Sequence, residues 1–209
     1  MFLQNHQVKS IALALTGASG MPYARQLLQR LMANQVSVYL LYSTAAQIVA
    51  KEECDWHLDD DISLTNKALC DEFQVAAEQL TVVGKNDWFS RLASGSAFPD
   101  AMVVCPASMG SVAAIANGLS DNLIERAADV CLKEKKPLII VPRETPFSLI
   151  HLRNLTHLAE SGATILPPSP AFYHRPQRID DMVDFVVSRI LQHLHIDEKN
   201  IYRWGLTKN

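Results

Sequence analysis

The nine residues LALTGASGM, at positions 13–21, connect an apolar run to a helical pattern. The run at 8–15 is short and is closed by Gly17, which is typical of a buried strand. Leucines then recur at helical spacing between 20 and 32, and the apolar run at 36–41 predicts another strand. Strand, glycine turn, helix and strand in this order predict a βαβ unit, in which the two strands are parallel.

The same alternation continues along the rest of the chain. Strands are predicted at 80–83, 101–105, 137–141 and 163–166, and helices at 45–52, 64–73, 107–117, 122–134, 146–161 and 179–194. Residues 85–100 are rich in Gly, Ser and Asp and predict a long loop, a kind of segment that often carries function. The alternation predicts an α/β fold with a doubly wound, mainly parallel sheet and helices on both faces.

Length and composition indicate one domain over residues 1–209. The formal net charge is −3, and 48% of the residues are hydrophobic, enough for a sizeable core. The balanced charge lacks the basic bias of nucleic-acid binders, and no apolar run is long enough to span a bilayer. The four cysteines are widely spaced without a Cys-x-x-Cys pair, and no two histidines have metal-ligand spacing on a helix. We therefore expect a cytoplasmic protein with reduced core cysteines and no metal site.

The carboxyl ends of parallel strands usually line the ligand crevice of such a sheet. Two of these ends, 16–20 and 105–111, are small-residue turns that lead from a strand into a helix. Free amides and the helix dipole make both turns suitable for an anion, although a plain tight turn or a helix cap explains either one alone. The second strand ends in Tyr42-Ser43-Thr44 without an acidic residue, which disfavours a nicotinamide dinucleotide and leaves a mononucleotide open.

Charged and aromatic residues suggest further roles. Arg126 and Lys133 are seven residues apart on one predicted helix face, roughly 10 Å apart along its axis, and residue type alone favours a solvated cationic face. Arg143 and Glu144 follow a strand between two prolines, where a guanidinium can bind phosphate and a carboxylate can transfer protons. Trp88 and Trp204 are candidate aromatic walls for a cation.

Several long stretches together resemble the flavin prenyltransferases, the UbiX family. They are LTGASG at 15–20, YSTAAQ at 42–47, NDW at 86–88, CPASMGSVAAIANG at 105–118, DNLIERAADVCLKEKKPLIIVPRETPFS at 121–148 and ILPPSPAFYHRPQ at 165–177. Gly110 and Ser111 depart from the family, in which many members have Lys and Thr there. Nothing is carried over to residues 55–80, which match least.

The resemblance implies a flavodoxin-like or Rossmann-like three-layer sandwich that assembles as a homododecamer. Active sites would lie at subunit junctions, and a C-terminal helix and tail at about 178–209 would pack at subunit interfaces. The protein would join a dimethylallyl group from dimethylallyl phosphate to N5 and C6 of reduced FMN without a metal. The product would be a cofactor for UbiD-like decarboxylases, in the context of ubiquinone biosynthesis.

The resemblance also implies a role for each matching residue, including Arg126 and Lys133, for which it overturns the solvated-face interpretation. The residues expected to hold FMN are Gly17, Ala18, Ser19, Ser43, Ser108, Met109, Gly110, Ser111 and Arg126. Those expected to hold the substrate phosphate are Lys133, Arg143, Tyr173 and Arg189. Of the catalytic residues, Ser19 would lie near flavin N5 and Trp88 would face the allyl cation. Glu144 would shuttle protons, and Glu53 would come from a neighbouring subunit.

Two alternatives stay open. An FMN-dependent cysteine decarboxylase of the same fold would carry Pro-x-Met-Asn-x-x-Met-Trp after the strand that precedes Arg143, where this chain has PRETPF at 142–147. A non-catalytic flavin-binding protein would explain the two turns. It would not explain why Arg143, Glu144, Tyr173 and Arg189 all match the substrate-binding pattern.

Overall fold

A computed structural model describes residues 8–196, and its core is a sheet of six parallel strands. They are β1 (Ser10–Leu15), β2 (Ser37–Tyr42), β3 (Leu80–Val82), β4 (Ala101–Ala107), β5 (Leu138–Pro142) and β6 (Thr164–Ile165). Their order in the sheet is β3-β2-β1-β4-β5-β6. The doubly wound α/β fold is therefore confirmed, with the strand order of the Rossmann fold. Trp204 and the predicted tail beyond 196 lie outside the described residues.

Seven α-helices are present between residues 8 and 196, of which six connect strands and the last follows β6. They are α1 (Met21–Ala33), α2 (Thr44–Cys54), α3 (Ile62–Phe73), α4 (Met109–Ala116), α5 (Leu123–Lys133), α6 (Leu149–Glu160) and α7 (Ile179–His193). Each predicted strand and helix is present, with ends shifted by at most three residues. The largest shift is at α6, which begins at Leu149 because the Ser148 hydroxyl caps it by accepting from the His151 amide.

The strands read as unbroken apolar runs because both faces of the sheet are covered. Ile11, Leu13 and Leu15 of β1 join one buried cluster, together with α1 and α7. Ala12 and Ala14 point the other way and join a second cluster, together with α4 and α5. This alternation follows from the period of two of a strand, and it produces the three-layer sandwich.

Helix α7 packs against α1 of its own chain. Val183, Val187 and Ile190 are buried in the core, and Asp184 accepts a hydrogen bond from Gln26 at 2.9 Å. The apolar stripe of α7 is therefore buried within its own chain. The outer face of α7 remains for the subunit contact that we predicted, and the tail lies outside the described residues.

The four cysteines are free, and they divide into two pairs by burial. Burial raises the pKa of the Cys105 and Cys131 thiols to about 12, which makes them inert core residues. Cys54 and Cys70 are only partly buried, so the expectation of four core cysteines is wrong for these two. Between residues 8 and 196, no helix has the length and apolar character needed to cross a membrane.

Candidate functional site

The carboxyl ends of four strands meet at one edge of the sheet, as predicted. The Thr16 amide donates to the Pro106 carbonyl at 3.1 Å, which joins the end of β1 to that of β4. The Arg143 amide donates to Ala107 at 3.2 Å, and the Ser43 amide donates to Leu15 at 3.0 Å. The order of the strands reverses between β1 and β4, so this crevice lies at the switch point where ligands bind in doubly wound folds.

The first turn, residues 16–20, is shaped by close packing against α2. A Cβ on Gly17 would lie 2.4 Å from the Ala45 Cβ, closer than real atoms approach. Gly20 has a φ of 123°, which side-chain-bearing residues rarely adopt. Ala18 between them is buried. The glycines are therefore required by the backbone and by the neighbouring helix, whatever the turn binds.

The anion position at the start of α1 is already filled by a side chain of the protein. The Glu53 carboxylate accepts from the Gly20 and Met21 amides at 2.8 Å each. Burial alone would raise the pKa of Glu53. Hydrogen bonds from the Ser19 side chain and these two amides, with the nearby Arg143 charge, hold that pKa below its usual range.

This arrangement corrects two expectations. We predicted free amides at the first turn, but those of Gly20 and Met21 are satisfied by Glu53. We also expected Glu53 to come from a neighbouring subunit, and its carboxylate instead binds the turn of its own chain. The reason is the length of α2. This helix starts beside Gly17 at the crevice, and its last turn brings the Glu53 carboxylate to the start of α1.

The second turn, residues 106–111, has an uncharged cap. The Ser108 hydroxyl accepts from the Ser111 amide at 3.3 Å and lies 3.1 Å from the Ser111 hydroxyl. Within residues 8–196, no hydrogen bond takes up the Met109 or Gly110 amide. Nothing lies within 4 Å of a Cβ placed on Gly110, so this end of α4 faces open space. Two unfilled amides and the helix dipole make it suitable for an anion.

Ser43 brings a third helix start to the crevice. Its hydroxyl accepts from the Ala46 amide at 3.1 Å and caps α2. The amino ends of α1, α2 and α4 thus converge, and among the described residues a carboxylate occupies the first of them. The predicted FMN-holding residues Gly17, Ser43 and Ser108 lie on these three ends.

Arg143 connects the crevice to the loop after β5. Its Nε donates to the Ser19 carbonyl at 3.3 Å, and its charge lowers the pKa of Glu53. Ser19, Glu53 and Arg143 are therefore neighbours, although they are far apart in sequence. Glu144 follows, is half-buried, and accepts from the Thr145 amide at 3.1 Å. The sequence placed Arg143 and Glu144 at this edge.

Trp88 lies in the loop after β3, with 46% of its surface exposed. The Lys85 carbonyl accepts from the Leu123 amide at 2.8 Å, which ties this loop to the start of α5. Arg126 lies one turn into α5, where it donates to the Ala93 carbonyl at 3.1 Å and pairs with Asp129 at 2.8 Å. The loop and Arg126 thus form one wall beside the sheet edge.

Two of the predicted phosphate-binding residues, Lys133 and Arg189, lie away from Arg143 within this chain. Lys133 ends α5 near the opposite edge of the sheet, because Lys136 beyond it donates to the carbonyls that precede β4. Arg189 is next to Ser188, whose hydroxyl accepts from the Arg30 side chain. Arg30 lies roughly 13 Å along α1 from Met21, which is at the crevice end of that helix.

Tyr173 is partly exposed on the loop before α7, with its ring 5.8 Å from that of Phe185. Lys133 lies on α5, Tyr173 on the loop between β6 and α7, and Arg189 on α7. The prediction that these residues share one phosphate with Arg143 at a subunit junction stays a prediction.

Thr16 is a residue that the sequence reasoning did not single out. It is 1% exposed, and its hydroxyl lies between the two turns. The available signal was a polar residue directly after the apolar run of β1. Within residues 8–196, no group of three or more His, Cys, Asp or Glu side chains is arranged to hold a metal ion.

Comparisons with known proteins agree over nearly the whole chain. The family model for flavoproteins matches residues 3–191. The chain is 50% identical over 195 residues to the flavin prenyltransferase UbiX of Pseudomonas aeruginosa, covering 93% of each protein. The crystal structure of AnUbiX in complex with FMN and dimethylallyl pyrophosphate superimposes with a TM-score of 0.84 at 37% identity, covering 96% of this chain and 100% of that one. A dodecameric FMN-dependent UbiX-like decarboxylase from Escherichia coli superimposes with a TM-score of 0.83 at 34% identity, covering 94% and 99%.

Proposed function

Because this chain belongs to the flavin prenyltransferases of the UbiX family, we propose that it joins the dimethylallyl group of dimethylallyl phosphate to N5 and C6 of reduced FMN. The observation that supports this most is the crevice itself. The open start of α4 and the Ser43-capped start of α2 lie beside the Ser19, Glu53 and Arg143 cluster at the switch point. A solved relative of 37% identity binds FMN and a dimethylallyl pyrophosphate.

The residues of the second turn fit an FMN. Its phosphate and polar groups require donors without a competing anion, and the unfilled Met109 and Gly110 amides with the Ser108 and Ser111 hydroxyls provide them. Gly17, Ala18, Ser19, Ser43 and Arg126 would complete the cradle. Reduced FMN, when bound, supplies the nucleophilic N5 and C6 positions of the reaction.

The residues around the β5 loop fit the substrate end. The bond between the allylic carbon and the phosphate oxygen would break, with its electron pair leaving on phosphate, as that carbon bonds to flavin N5, which loses a proton. Protonation of the prenyl double bond would then let its tertiary carbon bond to C6, which loses its own proton. Arg143 would stabilise the negative charge that develops on the leaving phosphate, and Glu144 beside it would hold and move protons between the phosphate and the flavin. Trp88 would present its ring face to the allyl cation. Ser19, which is tied to Glu53, would lie at the reactive edge of the flavin.

Neighbouring copies of the chain would complete the phosphate site. Lys133, Tyr173 and Arg189 are exposed, but two of them lie away from Arg143 in their own chain. We therefore propose a homo-oligomer, a dodecamer by similarity to the E. coli protein, in which these residues enter the crevice of another copy. The exposed Leu149, Ile150 and Leu152 of α6 provide an apolar surface for such contacts.

The product, prenylated FMN, would pass in the cytoplasm to a UbiD-type decarboxylase, with ubiquinone synthesis as the pathway. The E. coli relative is named a UbiX-like decarboxylase. The competing functions are a cysteine decarboxylase of the same fold and a non-catalytic flavin carrier. The PRETPF sequence at 142–147 disfavours the first of these, and the Arg143 and Glu144 pair at the crevice disfavours the second.

One assay separates these functions. The protein is incubated anaerobically with reduced FMN and dimethylallyl phosphate, and the mass of the extracted flavin is measured. The expected result is a gain of one five-carbon prenyl unit. FMN-loaded, folded protein that leaves the flavin mass unchanged would refute the proposed function. Release of carbon dioxide from a peptide with a C-terminal cysteine would identify the decarboxylase instead.

A further inference from the structure

Two threonines are the buried polar residues of the described chain, 8–196. Thr16 is 1% exposed and Thr65 is 2% exposed. A buried hydroxyl is costly unless it is fully hydrogen-bonded, and both satisfy this condition. They differ in what they connect, and this difference provides a matched experiment.

The Thr16 hydroxyl joins the two turns of the crevice. It donates to the Pro106 carbonyl at 2.9 Å and accepts from the Ser108 amide at 2.7 Å. The Thr16 amide also donates to Pro106, at 3.1 Å. The first residue of the first turn is therefore bound through three hydrogen bonds to the second turn, 90 and 92 residues further along the chain.

The Ser108 amide lies where the second turn enters α4. Ser108 is the N-cap of α4, and its hydroxyl orients Ser111. The backbone of Ser108 leads directly into the open Met109 and Gly110 amides. On the other side, Thr16 leads directly into Gly17, Ala18 and Ser19. A shift of either turn would change the distance between the two sets of groups that face the crevice.

We propose that Thr16 is a positioning residue for flavin binding, which sets the spacing between the turns after β1 and β4. This inference rests on the proposed function, because it takes both turns to hold one FMN. Thr16 acts through the amide of Ser108 and needs no contact with the flavin. Removal of its hydroxyl leaves the part-buried Ser108 amide without its acceptor, so the turn shifts to satisfy this amide.

Thr65 is the matched control. Its hydroxyl accepts from the Asp59 amide at 2.8 Å and lies 3.1 Å from the Tyr42 hydroxyl, so it is as well satisfied as Thr16. It fastens the segment before α3 and touches neither turn. Thr65→Val should therefore lower thermal stability about as much as Thr16→Val, with FMN affinity within twofold of wild type.

The experiment measures the Kd for FMN and the apo-protein Tm of Thr16→Val, Thr16→Ser and Thr65→Val. Thr16→Val should weaken FMN binding roughly 10- to 100-fold, whereas Thr16→Ser should bind within about threefold of wild type because it keeps the hydroxyl. Equal FMN affinity in Thr16→Val and Thr65→Val at similar Tm would overturn the proposal.

A second comparison applies if Thr16→Val does not fold. Thr16→Ser and Thr16→Ala both lack the methyl group, and only the former keeps the hydroxyl. Similar FMN affinities in these two variants would overturn the proposal. FMN binding is measured without dimethylallyl phosphate, so failure of the wild type to prenylate flavin would refute the proposed function while leaving this comparison readable.

Discussion

The turns after β1 and β4 look alike in sequence and differ in what fills them. Both lead from a buried strand into a helix through small residues, yet the Glu53 carboxylate occupies the amides of the first. The second is capped by the Ser108 hydroxyl and leaves two amides open. A glycine-rich turn at a helix start therefore predicts an anion, but the anion can belong to the protein itself. The first turn is preassembled, and the second is the one suited to bind phosphate.

The largest expected effect is at Glu144, which lies outside both turns. It tests whether the turns only bind the flavin while Glu144 transfers the protons. Glu144→Gln should retain FMN and slow prenylation by about 100- to 10,000-fold, because the amide cannot exchange the proton. Single-turnover prenylation, followed by flavin mass, measures this. Glu160→Gln, at the exposed end of α6, is the control. A wild-type rate for Glu144→Gln would mean that groups in the turns transfer the protons.

A pair of glycine substitutions breaks the first turn and spares the second. Gly17→Ala places a methyl group 2.4 Å from Ala45, and this overlap should cost about 1–3 kcal/mol of stability. Gly110→Ala meets nothing within 4 Å and lies in a helix, so it should cost nothing and can add up to about 1 kcal/mol. Thermal melts of the two apo-proteins measure the difference. Equal Tm values would show that the packing against α2 does not define the first turn.

Removal of the Ser108 cap tests the second turn. Ser108→Ala should lower stability by about 1 kcal/mol through loss of the cap and should also weaken FMN binding several-fold. Ser148→Ala removes the corresponding cap of α6, which belongs to neither turn, with a similar stability loss. FMN titration distinguishes the two variants. If both bind FMN like wild type, the second turn has only a structural role.

The smallest effect concerns the charge in the first turn. The folded pKa of Glu53 is lowered, so its stabilisation is present above the usual carboxyl pKa and is lost as the pH falls through the folded value. Glu53→Gln should therefore be less stable than wild type by roughly 0.3–1 kcal/mol at pH 7, and the gap should close in acid. Asp61→Asn removes another capping carboxylate with a lowered pKa and should show the same pH trend without changing FMN affinity. A gap for Glu53→Gln that stays constant with pH would contradict the capping role.

Much of the crevice was predictable because strand ends can be read from local pattern. Ser43, Ser108, Arg143 and Glu144 each follow an apolar run, and parallel strands bring such positions to one edge. The position of Glu53 was not predictable, since it depends on how far α2 extends and where its last turn points. The separation of Lys133 and Arg189 from Arg143 within one chain was not predictable for a similar reason. Spacing along a helix does not tell which edge of the sheet each end reaches.

The sequence by itself determined the alternation of strands and helices, the doubly wound class and the edge at which ligands bind. These features follow from hydrophobic periodicity and from small residues between elements, which act among near neighbours in the chain. Only the tertiary structure decided that Glu53 fills the first turn, that Arg143 reaches Ser19 and that Thr16 joins Ser108. These contacts span 33, 124 and 92 residues, and each forms only because the order of the strands brings separate segments within hydrogen-bonding distance.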